Sequence, residues 1–271
     1  GKLGGIELSY ASDLDLVFIY DADPGASSDG ARPIDNATFY TRLAQRIIHI
    51  LEARMTFGQL YEVDMRLRPS GASGLLVSTF AGFANYQRND AWPWEHQALV
   101  RARAVAGDPT VVDAFEGLRR AVLCRERELP ALADEVVAMR RRMRDHAGIN
   151  PDADELDLKQ GHGGIVDIEF MVQYAVLAWA SREPALADWS DNVRILDTLA
   201  RTGLQPEARC RALNDAYLEL RSATHRLALQ QQAARVPAEP FTEQVEAVRE
   251  AWAALLGEAE ARLLAAGTTT E

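Results

Sequence analysis

A chain of 271 residues can hold one large or two medium domains, each with its own core. Its hydrophobic share of 48% and charged share of 25% are those of an ordinary soluble globular protein, and its net charge of −11 argues against general binding to nucleic acid or anionic membrane, leaving room only for a local basic pocket. There is no apolar run of about 18 residues and no charged-then-apolar leader, and Cys124 and Cys210 lack metal-type spacing, so a cytoplasmic chain with two buried thiols is expected.

The sequence opens at Gly1 without an initiator Met, already inside a glycine motif, and reads as a piece of a longer polypeptide. Residues 13–21 carry apolar side chains on both parities, the pattern of a buried strand. The turn formers of 23–30 mark a surface loop. Asn36 is then expected to cap a helix with Phe39, Leu43, Ile47, Ile50 and Leu51 at helical spacing, and Gly58 to end it. From Leu60 to Arg68 the alternation is that of a second strand. Tyr61, Val63, Met65 and Leu67 share one face; Glu62, Asp64, Arg66 and Arg68 share the other. Pro69-Ser70-Gly71 and Gly74 form a turn before a short strand over 75–77.

No strand is expected from Thr79 onward. A helix starts after the two tryptophans Trp92 and Trp94, and Asp108-Pro109 opens another as N-cap and first-turn proline. Further helices are predicted over 131–146, 166–180, 191–201, 205–233 and 242–265, with a frayed Thr-rich tail at 268–270. The shift from mixed to all-helical composition predicts an α+β chain: a small catalytic core over 1–105 followed by a helical bundle over 106–271.

Chemistry concentrates near the start. Side chains alternate along a strand, so Asp13 and Asp15 point to one side and can grip one metal ion. Asp64 sits on the next predicted strand, one crossover helix away; if the two strands pair, three carboxylates converge. Hard oxygen ligands with open positions suit Mg²⁺, and two such ions roughly 3.5–4 Å apart could activate a hydroxyl and neutralise leaving pyrophosphate. Gly4 and Gly5 would let backbone amides approach a triphosphate. The purely structural alternative makes Asp13 a turn residue and Asp15 a salt-bridge partner.

The blocks Gly-Lys-Leu-Gly-Gly (1–5), Ser-Asp-Leu-Asp-Leu (12–16) and Tyr-Glu-Val-Asp-Met-Arg-Leu-Arg-Pro-Ser-Gly (61–71) resemble the glutamine synthetase adenylyltransferase family, whose core is similar to the polymerase β-like nucleotidyltransferases. Residues 92–103, 163–170 and 189–194 carry further blocks of the same family, so the resemblance covers essentially the whole chain. Family members hold two nucleotidyltransferase halves. One removes AMP from glutamine synthetase by phosphorolysis and the other transfers AMP from ATP to a tyrosine. The Trp-Glu-His-Gln-Ala-Leu block (94–99) and the helical ending look like the C-terminal, adenylylating half.

The resemblance implies metal ligation by Asp13, Asp15 and Asp64, nucleotide phosphates at Gly4 and Gly5, Mg²⁺ as cofactor and ATP as substrate. It implies glutamine synthetase as partner, with the PII signal protein acting through the full-length enzyme. Asp64 is expected to be the carboxylate best placed to help deprotonate the tyrosine. The rival readings are phosphorolytic removal of AMP, and a non-catalytic docking module for glutamine synthetase.

Secondary candidates surround this set. Arg66 and Arg68 share the predicted Asp64 face, where they either bind phosphate oxygens or neutralise Glu62 and Asp64. Arg101 could reach the nucleotide, whereas His96 on the same helix reads as a structural or surface histidine. The glycine-rich loop 157–164, which carries Lys159, could close over phosphate or the target peptide; Asp167 and Glu169 stay open between structural and functional roles, and no role is assigned to His162. Arg140, Arg141, Arg142 and Arg144 read as a solvated helix face.

Overall fold

The computed structural model describes residues 1–10, 12–23, 25–150 and 155–267. The expected frayed tail at 268–270 lies outside the described residues, as do Pro24 of the 23–30 loop and 151–154 of the stretch before Gly164. The chain is α+β and divides into two compact units, Gly1–Val122 and Leu123–Glu271. The division expected from composition, at 105/106, falls inside the first of them. No helix among the described residues is long and apolar enough to cross a membrane.

In the first unit the apolar run 13–21 forms two short strands, β1 (Leu14–Asp15) and β2 (Phe18–Tyr20), where one was expected. Its hydrogen-bonding partner changes on the way. β1 runs parallel to β5 (Val63–Asp64) and β2 runs parallel to β6 (Val77–Thr79), so the ladder is handed over at Leu16–Val17. Hydrophobic parity carries no trace of that exchange, because both halves are apolar.

The crossover helix α1 (Asn36–Glu52) is capped by Asp35, one residue before the expected cap; its Oδ1 accepts from the Thr38 amide at 2.9 Å. Of the apolar positions on α1, Phe39, Leu43 and Ile50 remain exposed, while Ala44 is buried and Tyr40 stacks on Tyr20 at 4.6 Å between ring centroids. The helix stops at Glu52. Gly58, at φ 114°, turns a small hairpin of β3 (Arg54–Met55) and β4 (Gly58–Gln59).

The strand expected over 60–68 shrinks to the two residues of β5. From Met65 the chain turns, with Ser70 and Gly71 both left-handed (φ 60° and 56°), and the Arg68 guanidinium donates to the carbonyls of Met65, Ala72 and Gly74. The alternation is real, but that turn ends the ladder early. Helices α2 (Phe80–Asn89), α3 (Pro93–Val100) and α4 (Pro109–Leu123) follow. Glu95 caps α3 by accepting from the Trp92 amide at 2.9 Å and also accepts from the Tyr86 hydroxyl, while Asp108 accepts from the Thr110 amide ahead of α4. His96 is buried, with Nε2 at 2.9 Å from the Gln87 carbonyl, the structural one of its two expected placements.

The second unit is built from α5 (Leu129–His146), α6 (Ile165–Trp179), α7 (Asn192–Arg201), α8 (Glu207–Leu229) and α9 (Thr242–Gly267). Helix α6 is apolar on nearly every side and is buried over almost its whole length, making it the core of the bundle. Contrary to the expectation of no strand after Thr79, β7 (Glu155–Asp157) pairs antiparallel with β8 (Arg235–Pro237). Three-residue strands so far apart in the chain are too short to show a period.

The arginine run on α5 also departs from its expected solvated face. Arg141 and Arg142 are exposed, whereas Arg140 and Arg144 are buried and both pair with Asp167 of α6. At 3.6 residues per turn, positions i and i+4 share a face that the two intervening arginines do not.

Candidate active site

Asp13, Asp15 and Asp64 come together in the first unit. Parallel pairing sets Asp15 beside Asp64, and alternation returns Asp13 to the side of Asp15. A carboxylate oxygen from each lies within 4.8 Å of the others. Asp13 is exposed; Asp15 and Asp64 are half-buried.

The two half-buried acids differ in their electrostatics. Burial pushes the Asp15 carboxyl above its ordinary value, and the like charges of Asp13 and Asp64 push the same way, against the chain's amino group and Arg101. Asp64 is held below its ordinary value, chiefly by hydrogen bonding from Arg66. The Arg66 backbone amide reaches Asp64 Oδ1 at 2.8 Å and its Nε reaches Oδ2 at 2.8 Å, with Nη2 on the same oxygen. Three carboxylates, paired with the exposed Arg66 at Asp64 and with the Gly1 amino group 3.9 Å from Asp15 Oδ2, form an all-oxygen donor set. The set fits Mg²⁺.

The glycine segment lies against this cluster. A Cβ placed on Gly1 would sit 1.7 Å from Asp15 Oδ2, and one on Gly4 would sit 2.2 Å from the Arg101 carbonyl oxygen. Gly5 is buried, and its amide donates to the Gly1 carbonyl at 3.0 Å. The segment is therefore clamped between Asp15 and the C-terminal end of α3, where a side chain has no room.

Arg101 is buried and paired with Glu7, so it holds the segment from beneath. Arg103 donates to the carbonyls of Leu3 and Gly4 at 3.1 and 3.3 Å. Sequence reasoning passed over Glu7, which carries no pattern of its own; its only signal was an acid inside an otherwise small and apolar opening. A cleft of about 640 Å³ opens beside Asp15, with Tyr20, Leu43, Leu99 and Phe115 on its apolar walls and Arg101 and Arg103 among its basic ones.

The remaining candidates lie elsewhere. Arg68 faces the turn carbonyls described above and leaves Asp64 to Arg66. Lys159 belongs to the second unit, on the turn before α6, where its amide donates to Asp157 Oδ1 at 2.9 Å. The glycines of that turn have a packing explanation, since a Cβ on Gly161 would sit 2.5 Å from the Asp157 carbonyl oxygen. Asp167 is buried between Arg140 and Arg144.

Residues 1–118 match the family described as glutamate-ammonia ligase adenylyltransferase, and residues 134–260 match GlnD PII-uridylyltransferase. Among curated proteins, bifunctional glutamine synthetase adenylyltransferase/adenylyl-removing enzymes align along nearly the whole chain. That of Pseudomonas putida is 52% identical over 94% of this chain, and that of Pseudomonas syringae pv. tomato is 54% identical over 93%. The chain belongs to the glutamine synthetase adenylyltransferase family. The corresponding enzyme of Pseudomonas aeruginosa is 53% identical over 92% of the chain. The chain spans 27% of the length of each of these relatives.

Proposed function

We propose that this chain transfers AMP from ATP to a tyrosine hydroxyl of glutamine synthetase, releasing pyrophosphate, and that it corresponds to the adenylylating half of the family. The observation that carries this reading is the convergence of Asp13, Asp15 and Asp64 beside the clamped segment 1–5. The curated relatives are named for both adenylyl transfer and adenylyl removal, which supports the substrate class.

In this reading the tyrosine oxygen attacks the α-phosphorus of ATP, and the bond from that phosphorus to the β-phosphate bridging oxygen breaks. Asp13, Asp15 and Asp64 would hold Mg²⁺, two ions in our assignment, which when bound supplies charge neutralisation at the transferring group and the leaving pyrophosphate. Asp64, kept ionised by Arg66, is assigned to draw the phenolic proton. Gly4 and Gly5 would present backbone to the phosphates, and Arg101 with Glu7 fixes that backbone in place. We assign Arg66 to phosphate once a metal ion takes over Asp64, and Arg68 to a supporting part in nucleotide binding. The partners are glutamine synthetase and, through the full-length enzyme, the PII signal protein; the setting is cytoplasmic.

The test incubates the chain with Mg²⁺, ATP labelled at the α-phosphate and unmodified glutamine synthetase. Label on a tyrosine with equimolar pyrophosphate is expected. Consumption of phosphate with AMP-modified glutamine synthetase, without forward transfer, would replace this reading by adenylyl removal. Failure to bind MgATP by calorimetry would replace it by a docking module.

A further inference from the structure

The second unit carries a charge imbalance at its centre. Arg140 and Arg144 descend from α5 onto one acid, Asp167 of α6. Arg140 is fully enclosed and well partnered. Its Nε donates to Asp167 Oδ1 at 2.6 Å, Nη1 to Gln160 Oε1 at 3.0 Å and Nη2 to the Gln160 carbonyl at 2.8 Å.

Arg144 is different. Its Nη2 reaches both oxygens of Asp167, at 2.6 and 2.7 Å, but its buried Nε has no hydrogen-bond partner among the described residues. Asp167 has little left to give, since its Oδ2 also accepts the Gly163 amide at 2.8 Å. Two buried guanidinium groups therefore share one carboxylate. An excess buried charge is costly unless something compensates it.

Compensation has a place to sit. Arg144 lies over the Trp252 ring, 5.5 Å from its centroid, and borders a cavity of about 530 Å³ together with His162, Arg249 and Trp252. That volume falls in the range of about 300–1,000 Å³ usual for small-ligand sites. Of the acids on the wall Glu155 is exposed, and two others are engaged elsewhere. Asp157 accepts from the amides of Lys159 and Gln160 and lies 3.8 Å from Arg235, and Glu260 accepts from the Trp252 indole at 3.1 Å. Arg249, which donates from Nε to the His162 carbonyl at 3.2 Å, places a second cation at the exposed side of the cavity.

We propose that this cavity binds a small molecule through an oxyanion, carboxylate or phosphate, seated on Arg144 and Arg249 against Trp252. A purely structural arginine pair would have its donors spent, whereas Arg144 keeps one buried donor without a partner among the described residues and itself lines the cavity. A guanidinium fork matches either oxyanion, so the geometry names the charged group and leaves open the body that carries it. The site lies wholly within the second unit and shares no residue with the three aspartates.

The test follows the Trp252 indole N–H by NMR in the full 271-residue chain, with the resonance assigned by Trp252→Phe. Inorganic phosphate and succinate are titrated separately at constant ionic strength without divalent metal. A saturable shift with phosphate assigns a phosphate-bearing ligand, and one with succinate a carboxylate-bearing ligand. Arg249→Gln should weaken either response at least about tenfold with the melting temperature unchanged, and Asp15→Asn should leave it intact. Arg144→Lys should abolish it; should that variant not fold, Arg249→Gln decides alone. The proposal is overturned if neither ion moves the Trp252 resonance, or if the shift persists undiminished in Arg249→Gln.

Discussion

Asp15 stands beside Asp64 in parallel register across β1 and β5, two strands of two residues each. The pair is bracketed by hydrogen bonds from the Leu14 amide to the Glu62 carbonyl, at 2.8 Å, and from the Leu16 amide to the Asp64 carbonyl, at 3.0 Å. Little else in so short a ladder fixes where these carboxylates face. The site therefore depends on that register, since a slip of one residue would turn Asp15 to the opposite side.

Asp15→Asn is the direct test of the cluster. Burial and two neighbouring acids oppose the Asp15 charge and outweigh the Gly1 amino group, 3.9 Å from Oδ2, and Arg101, so removing that charge relieves more repulsion than the attraction it gives up. AMP transfer should disappear while the thermal midpoint, measured without metal, stays level or rises slightly. A variant that melts several degrees lower would show that Asp15 holds the fold through a pairing of its own.

Gly4→Ala tests the clamp. Its new methyl group would meet the Arg101 carbonyl oxygen at 2.2 Å, and backbone cannot move aside as the tip of a side chain can. Segment 1–5 must shift, at a cost of about 1–3 kcal/mol. We expect AMP transfer to fall at least tenfold with a small drop in the urea midpoint. Unchanged transfer would separate this segment from nucleotide positioning.

Asp167→Asn tests the polar core of the second unit. The substitution leaves the Arg140 and Arg144 charges facing a neutral amide in a buried place, and breaking such a pair costs about 3–5 kcal/mol. Urea denaturation should reveal a loss of that order, and Arg144→Met in the same chain should recover part of it. Additive losses in the double variant would mean that the two groups do not interact.

The sequence carried the carboxylate triad because its information is local: Asp13 and Asp15 share a parity, and Asp64 sits in the middle of the next alternating element after a helix. Arg68 was indistinguishable from Arg66, since alternation assigns both to the Asp64 face; only the turn at Ser70 and Gly71 separates them. Arg140 and Arg144 were hidden inside a run of arginines whose middle members face solvent. Their spacing by four was legible, but the acid they share lies on another helix, and pairing across helices leaves no local trace. The apolar stripe on α1 stays exposed at Phe39, Leu43 and Ile50, since helical spacing reports a face and not what covers it.

His162 gives the second unit a pH dependence whose sign is fixed by its surroundings. Burial lowers its pKa from the ordinary 6.5, Arg144 and Arg249 push the same way, and Asp167 and Glu260 push against them. In the unfolded chain the ring takes up a proton near its ordinary value, while in the folded chain it does so only at lower pH. Its contribution to stability is thus fully present above about pH 6.5 and is lost as pH falls through the lowered folded value. Unfolding free energy measured between pH 7.5 and 5.5 should fall less steeply in His162→Gln than in the parent chain. Parallel pH profiles would mean that neither burial nor the neighbouring cations hold this ring neutral. A saturating oxyanion at Arg144 should also shrink the difference between the two chains, because it offsets the positive field that keeps His162 neutral.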